Sequence, residues 1–174
     1  MPPPPELQVR ALVEADVEAY KTLRDHVLAR HEEAFTSDAA TEAQRNATSY
    51  LARLGADASG SYTLGAWSGA RLVGAITCER DPRRKVRHLG HIVGTMVATD
   101  WQGRGAGREL LEALIERATA DDELHLLTLT VTAGNQAATR LYQRAGFTRY
   151  GTLPRAIRVA GRFFDKDLML KNLR

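Results

Sequence analysis

Only one cysteine, Cys78, occurs in the 174 residues. A disulfide framework within the chain is excluded, and so is a metal site built on paired cysteines. Cys78 falls in a strand-like run, where a lone thiol serves as a small buried hydrophobe. Long apolar runs are also missing, and none reaches the length that spans a bilayer. The start, Met1-Pro2-Pro3-Pro4-Pro5-Glu6, has neither the basic nor the apolar region of a signal peptide. It reads as a short extended tail over residues 1–6. Charge of one sign is in small excess: the net +3 suits a phosphorylated ligand and is too weak to argue for nucleic acid. There is no internal repeat and no low-complexity segment beyond the prolines. With no membrane and no nucleic-acid partner indicated, a cytoplasmic enzyme is the expectation. Residues 7–174 are long enough for one domain with a proper core, and the hydrophobic fraction of 44% is that of an ordinary globular protein.

Against these absences stands one glycine-rich stretch, Gln102-Gly103-Arg104-Gly105-Ala106-Gly107-Arg108. Before it, Ile92-Val93-Gly94-Thr95-Met96-Val97 is β-branched and reads as a strand. After it, Leu110, Leu111, Leu114, Ile115 and Ala118 recur at helical spacing. A glycine loop therefore joins a strand to a helix start. The N–H groups there lack intrahelical partners, the helix dipole is positive there, and glycine lets a ligand approach the backbone. These features make a phosphate seat, to which Arg104 and Arg108 add cations. The loop is not a Walker loop, because no Lys-Ser/Thr follows the glycines, and it fails GxGxxG because Arg108 stands at the third position.

The remaining elements follow from pattern. Leu7–Leu12 alternates as a strand. Asp16 starts a helix with Val17, Tyr20, Leu23, Val27 and Leu28 on its apolar side. His31–Asp38 reads as a loop, and Thr41-Glu42-Ala43-Gln44 fits a capping box opening a helix through Leu54. Gly55–Gly60 is a small-residue linker. Ser61–Trp67 and Arg71–Cys78 form a hairpin around Ser68-Gly69, Asp81-Pro82-Arg83-Arg84-Lys85 is a turn with a basic tip, and His88–Thr99 is a long strand. Leu124–Thr132 is a central strand covered on both sides. Asn135 caps a helix stopped by Gly146. Thr148–Leu153 and Phe163–Leu170 close the chain, separated by a loop over Pro154–Arg162. The order implies an α/β (α+β) fold, a mixed central sheet of about seven strands flanked by four helices, with a parallel pair around the helix after the glycine loop.

A second stretch carries more. In Asn135-Gln136-Ala137-Ala138-Thr139-Arg140-Leu141-Tyr142-Gln143-Arg144-Ala145-Gly146-Phe147, Asn135 and Tyr142 lie two helical turns apart on one face. Read alone, they are a cap and a core residue, or an amide and a phenol lining one groove. Together with Q-x-x-G-x-G at Gln102–Gly107, the run N-x-x-A-x-x-L-Y-x-x-x-G-F resembles the second signature of the GNAT N-acetyltransferase superfamily. The resemblance extends from Leu7 to Leu173 and implies that fold, with acetyl-CoA as co-substrate and an amine acceptor. It further implies that the backbone amides of Gln102, Gly103, Arg104, Gly105, Ala106, Gly107 and Arg108 hold the pyrophosphate. Met96 and Val97 would pair with the pantetheine arm at a splay between the fourth and fifth strands, and Asn135 would contact that arm. Tyr142 would sit beside the thiol.

Amide formation needs a neutral amine, and alkylamines titrate near the lysine value of about 10.4. A base or a desolvating site must remove a proton, and a donor must meet the oxyanion. The candidate bases are His88, His91, Glu79, Glu32 and Glu33. His91 lies eleven residues before Gln102, where histone acetyltransferases of the superfamily place a basic glutamate. His88 and His91 face opposite sides of a regular strand. They make no metal site at that spacing, no third ligand is evident, and no metal is expected. For the acceptor, Glu32, Glu33 and Asp38 suit a cationic amine, while Arg155 and Arg158 suit a carboxylate. The acceptor is a small molecule or a protein amine. The competing readings are a non-catalytic acyl-CoA-binding sensor and a nucleotide-binding regulator, and an edge strand at the C-terminus leaves room for a homodimer.

Overall fold

In the computed structural model, which describes residues 6–55 and 59–174, the alternating and β-branched runs form seven strands. These are β1 (Leu7–Ala11), β2 (Tyr62–Ser68), β3 (Arg71–Arg80), β4 (Leu89–Val97), β5 (Leu126–Thr132), β6 (Thr148–Val159) and β7 (Arg162–Asn172). Helices α1 (Val17–Leu28), α2 (Ala39–Ala43), α3 (Ala106–Ala120) and α4 (Gln136–Arg144) join them. The strands make one sheet in the order β1-β2-β3-β4-β5-β7-β6. Only β4 and β5 are parallel, and α3 is their crossover, as the short right-handed connection rule requires. The Pro-rich tail through Pro5, and residues 56–58 of the Gly55–Gly60 linker, lie outside the described residues.

The helices exist because they bury a stripe. On α3, Leu110, Leu111, Leu114 and Ala118 are buried to 1% exposure or less, each leucine contributing about 1.5–3 kcal/mol by leaving water. They pack against β1 to β4, and α1 packs against β3 and β4 with Tyr20, Leu23 and Val27. From Leu72 to Cys78 every residue of β3 is buried, as a strand covered on both faces must be. On β5 Leu127, Leu129, Val131 and the terminal Thr132 are buried, while Leu126 and Thr128 are only half-buried and Thr130 is exposed. That strand is therefore covered fully on one side, a departure from the two-sided cover its sequence suggests.

The feature that positions the site is a bulge. β3 and β4 pair Thr77 with Val93 and then Ala75 with Met96, so β4 carries one extra residue. Gly94 sits there at φ +58, a left-handed backbone that glycine takes readily. β4 follows β3 as far as Val97, but its pairing with β5 ends at Ile92–Leu129. β5 meanwhile stays with β7 to Thr132. The two parallel strands thus separate into a V.

Three other expectations are corrected. The capping box at Thr41 does not form: the Asp38 carboxylate accepts the Thr41 N–H at 2.8 Å and its hydroxyl at 2.7 Å. With that N–H taken, Gln44 has nothing to reach back for. α2 ends at Ala43, and Ala47–Leu54 continues as a separate 3-10 helix. The loop placed at Pro154–Arg162 is largely strand, with β6 and β7 forming one long hairpin. Pro154 is accommodated at a bulge where Arg155 takes φ +51 and gives its N–H to the Asp165 carboxylate at 2.8 Å. β4 begins at Leu89, so His88 lies in the preceding turn.

Candidate active site

β4 leads through a 3-10 turn (Thr99–Trp101) into the glycine loop. Gly103 and Gly105 take φ +75 and +91, and Gly105 caps α3. The first bond into that helix runs from Glu109 N–H to Gly105 O at 3.0 Å. The N–H groups of Ala106, Gly107 and Arg108 are left at the open end, with the positive end of the dipole behind them.

This end opens on a cavity of about 1460 Å³. One wall is the diverging part of β4, Thr95, Met96 and Val97, and another is the loop, Gln102, Gly103, Gly105, Ala106, Gly107 and Arg108. Asn135 and the first turn of α4 form a third. The Asn135 side chain accepts the Ala138 N–H at 3.2 Å, so it caps α4 and lines the cavity at once. The open edge of β4 beyond Ile92 faces this space with no β5 partner. Basic side chains of Arg108, Arg140, Arg144 and Lys171 line the cavity as well.

Three sequence-chosen residues stand outside the wall. The Arg104 guanidinium lies over the Trp101 ring at 5.3 Å. Tyr142 is buried, 6% exposed, with its ring edge-on to Phe147 at 6.0 Å. Burial raises its pKa above the ordinary phenol value, against a lowering hydrogen bond with Thr95. Since Thr95 lines the cavity, the phenol sits one side chain behind it. His91 is exposed on the paired part of β4, opposite Glu79 on one side and Thr128 on the other. Its Nδ1 meets the Thr128 hydroxyl at 2.5 Å, which fixes the ring.

The acceptor candidates are likewise separated. Glu33 lines the cavity. Asp38 is committed to capping α2, and its bonds from Thr41 hold it below the usual carboxylate range. Glu79 pairs with Arg53 at 3.2 Å. Arg155 and Arg158 lie over the exposed Phe163 ring at 5.5 Å each, away from the cavity. Arg83 at the basic tip folds back on Asp81.

The His31–Asp38 loop, expected from the sequence to help build the acceptor site, does line the cavity through His31, Glu33, Ala34 and Phe35, whereas Thr95 in the wall was given no role by the sequence. The segment after α1 crosses the V: Thr132 donates its hydroxyl to Glu33 O at 2.6 Å, Lys166 donates to Ala34 O at 3.3 Å, and His31 Nε2 lies 3.2 Å from Gln102 Nε2. Nothing local in residues 31–35 foretells these partners. A buried network was also missed. The Glu42 carboxylate meets Tyr50 at 2.6 Å, Arg24 at 2.8 Å and Arg45 at 3.1 Å. Burial pushes Glu42 up, and these bonds together outweigh it and hold the carboxyl at about 2. Among the described residues no group of three or more His, Cys, Asp or Glu could hold a metal ion, and no helix is long and apolar enough to cross a membrane.

Residues 20–147 match the model of the Acetyltransferase (GNAT) family. A curated relative, the L-methionine sulfoximine/L-methionine sulfone acetyltransferase of Pseudomonas aeruginosa, is 40% identical over 77 residues, 44% of each protein. The chain thus spans less than half the length of the curated relatives it matches first. The crystal structure of an acetyltransferase of the GNAT family from Streptococcus pneumoniae superposes with a TM-score of 0.86 at 28% identity, covering 96% of this chain and 99% of that one. That of yncA from Salmonella typhimurium, solved with its cofactor acetyl-CoA, gives 0.84 at 22% identity, covering 97% and 95%; this second likeness concerns the fold.

Proposed function

Because the chain belongs to the Acetyltransferase (GNAT) family, we propose that it moves the acetyl group of acetyl-CoA to a primary amine, free or carried on a protein, by direct attack in a ternary complex. The observation that carries this reading is continuity: one cavity runs from the free N–H groups of α3 to the unpaired edge of β4. A pyrophosphate at the first suits its donors and dipole. An extended arm carrying amides suits the second, as an added strand suits a sheet edge. In this reading the backbone of Gln102 to Arg108 holds the pyrophosphate, with Arg104 swinging from Trp101 and Arg108 adding charge. Met96 and Val97 pair with the pantetheine arm and Asn135 contacts it. The Val97 N–H faces the thioester carbonyl, where a placed donor stabilises the oxyanion. Tyr142, reached through Thr95, protonates the departing thiolate.

His91 takes the amine proton through water, since it stands outside the cavity wall, and Thr128 orients its ring. On that role the rate at subsaturating acceptor rises with pH on the acid limb. His91→Ala should flatten this limb, with partial recovery at high pH, where the amine loses its proton unaided. A wild-type profile in the variant would remove His91 and leave a site that selects the neutral amine.

The test of the function is thiol release from acetyl-CoA across a panel of amines. Binding of acetyl-CoA with no release to any amine would favour the sensor module, although such a module has no use for a leaving-group acid at Tyr142. The reading also places the enzyme in the cytoplasm, consistent with a free, buried Cys78. It extends to a homodimer through β6, the outer edge of the sheet, which exposes Tyr150 and Leu153; a sedimentation mass of one chain would remove the dimer.

A further inference from the structure

The bulge that opens the V also turns β4 toward α1. A Cβ built on Gly94 would lie 3.6 Å from the Tyr20 hydroxyl, 3.8 Å from Arg24 Nη1 and 3.8 Å from Arg53 Nη1. Three hydrogen-bond donors from two different elements therefore converge beside one glycine. Both guanidinium groups are anchored elsewhere. Arg24 gives Nε to Glu42 at 2.8 Å and Nη2 to Ser37 at 2.9 Å, and Arg53 Nε lies 3.2 Å from Glu79. Among the described residues, Nη1 of Arg24 and both Nη atoms of Arg53 remain without an acceptor. The Tyr20 hydroxyl is buried and has no hydrogen-bond partner among the described residues, although Tyr20 itself is 0% exposed. A buried donor left without an acceptor calls for an explanation.

Charge points to what is missing. Arg24, Arg45 and Arg53 stand against Glu42 and Glu79, a net of +1. Access comes from the Arg53 side, where the side chain is 30% exposed and Gly94 is half-buried, while Tyr20 and Arg24 form the buried floor. The niche adjoins the cavity: Thr95, next to Gly94, and Val27, one turn along α1 from Arg24, both line it. One residue of strand spans about 3.3 Å.

We propose that Tyr20, Arg24 and Arg53 hold the carboxylate of the acceptor, which is therefore a free α-amino acid or a close analogue. The proposal rests on the acetyltransferase reading above and names its substrate class. An α-amino group and its carboxylate share one carbon. A carboxylate bound beside Gly94 holds the amine at the bulge, next to Thr95, where β4 leaves β5 and the cavity begins. Arg155 and Arg158, the carboxylate candidates of the sequence, are not needed for this.

The experiment measures thiol release from acetyl-CoA with each of the common L-amino acids, its carboxamide and its decarboxylated amine. Wild-type kcat/KM should favour the free acid over the amide by on the order of 10²-fold, as expected when charge-assisted bonds are lost. In Tyr20→Phe and Arg53→Gln, KM for the acid should rise about tenfold or more with kcat little changed, and the acid-to-amide ratio should shrink toward one. Arg53 is partly exposed, so its variant keeps the test open if Tyr20→Phe lowers the melting temperature. Equal use of acid and amide would overturn this assignment and leave the acetyltransferase standing. Full acid preference persisting in both variants would overturn it too. No release to any amine would overturn the acetyltransferase reading and this inference with it.

Discussion

Replacing Tyr142 with Phe is expected to lower kcat by about 10²-fold or more, the usual range for a lost general acid, while acetyl-CoA affinity stays within a few-fold. The substitution is clean because the ring is retained: its edge-on contact with Phe147 at 6.0 Å does not involve the hydroxyl. What is lost is a phenolic proton beside Thr95. Burial raises the phenol above its ordinary value of about 10, so the proton is present at every working pH. A free thiol titrates lower, near 8.5, and in water the transfer would run uphill. A thiolate released into the same desolvated corner is raised by the same physics, which narrows the gap. An interaction made only as the thiolate departs should reduce kcat and kcat/KM together. Unchanged turnover would mean that water or the acceptor supplies the proton and that Tyr142 is packing.

The site owes its shape to one residue more than to any motif. An added residue in β4 twists that strand away from β5. On one side the split leaves backbone donors and acceptors free along Met96 and Val97, and on the other it brings Gly94 against Tyr20, Arg24 and Arg53. On the proposed reading, cofactor edge and acceptor niche are thus two faces of the same irregularity.

Local pattern foretold α3 and its buried face, because five apolar positions at helical spacing, Leu110, Leu111, Leu114, Ile115 and Ala118, point to an amphipathic helix, and four of the five are buried. It also foretold the Asn135 cap and the glycine loop, whose chemistry is confined to neighbouring residues. It failed where partners are distant. Glu42 meets Arg24 across 18 residues and Tyr50 across 8, and no period encodes either contact. The capping box at Thr41 was lost to Asp38, three residues upstream. Pro154 hid a strand, since a proline within a run reads as its end unless a bulge receives it. Gly94 did carry a signal, because an isolated glycine within a strand pattern suggests a bulge. Which strand would then part from which depends on the register of β5 with β7, set far along the chain. His91 was placed by its distance from the loop, and the strand did bring it near the V, but on the paired side of the parting.

Gly105→Val should weaken acetyl-CoA binding by about 10²- to 10³-fold and abolish most of the melting-temperature rise that the cofactor gives. The cause is conformational rather than steric crowding, because only Glu109 Oε1, at 3.9 Å, comes within 4 Å of a Cβ at this position. Gly105 stands at φ +91, and a β-branched residue held there costs about 1–3 kcal/mol. Turning the peptide relieves that cost and swings the N–H groups at the start of α3 away from the pyrophosphate. Each bond to a charged oxygen so lost is worth about 1.5–3 kcal/mol, and one or two of them account for the expected loss. The fold should survive, since Leu110, Leu111 and Leu114 anchor α3 below its first turn. Gly105→Asn separates conformation from obstruction: asparagine visits the left-handed region with little penalty, so it should keep most of the binding. Equal loss in Val and Asn would mean that the side chain itself stands in the path of the phosphates. A full cofactor-induced rise in the Val variant would remove this loop from the cofactor site altogether.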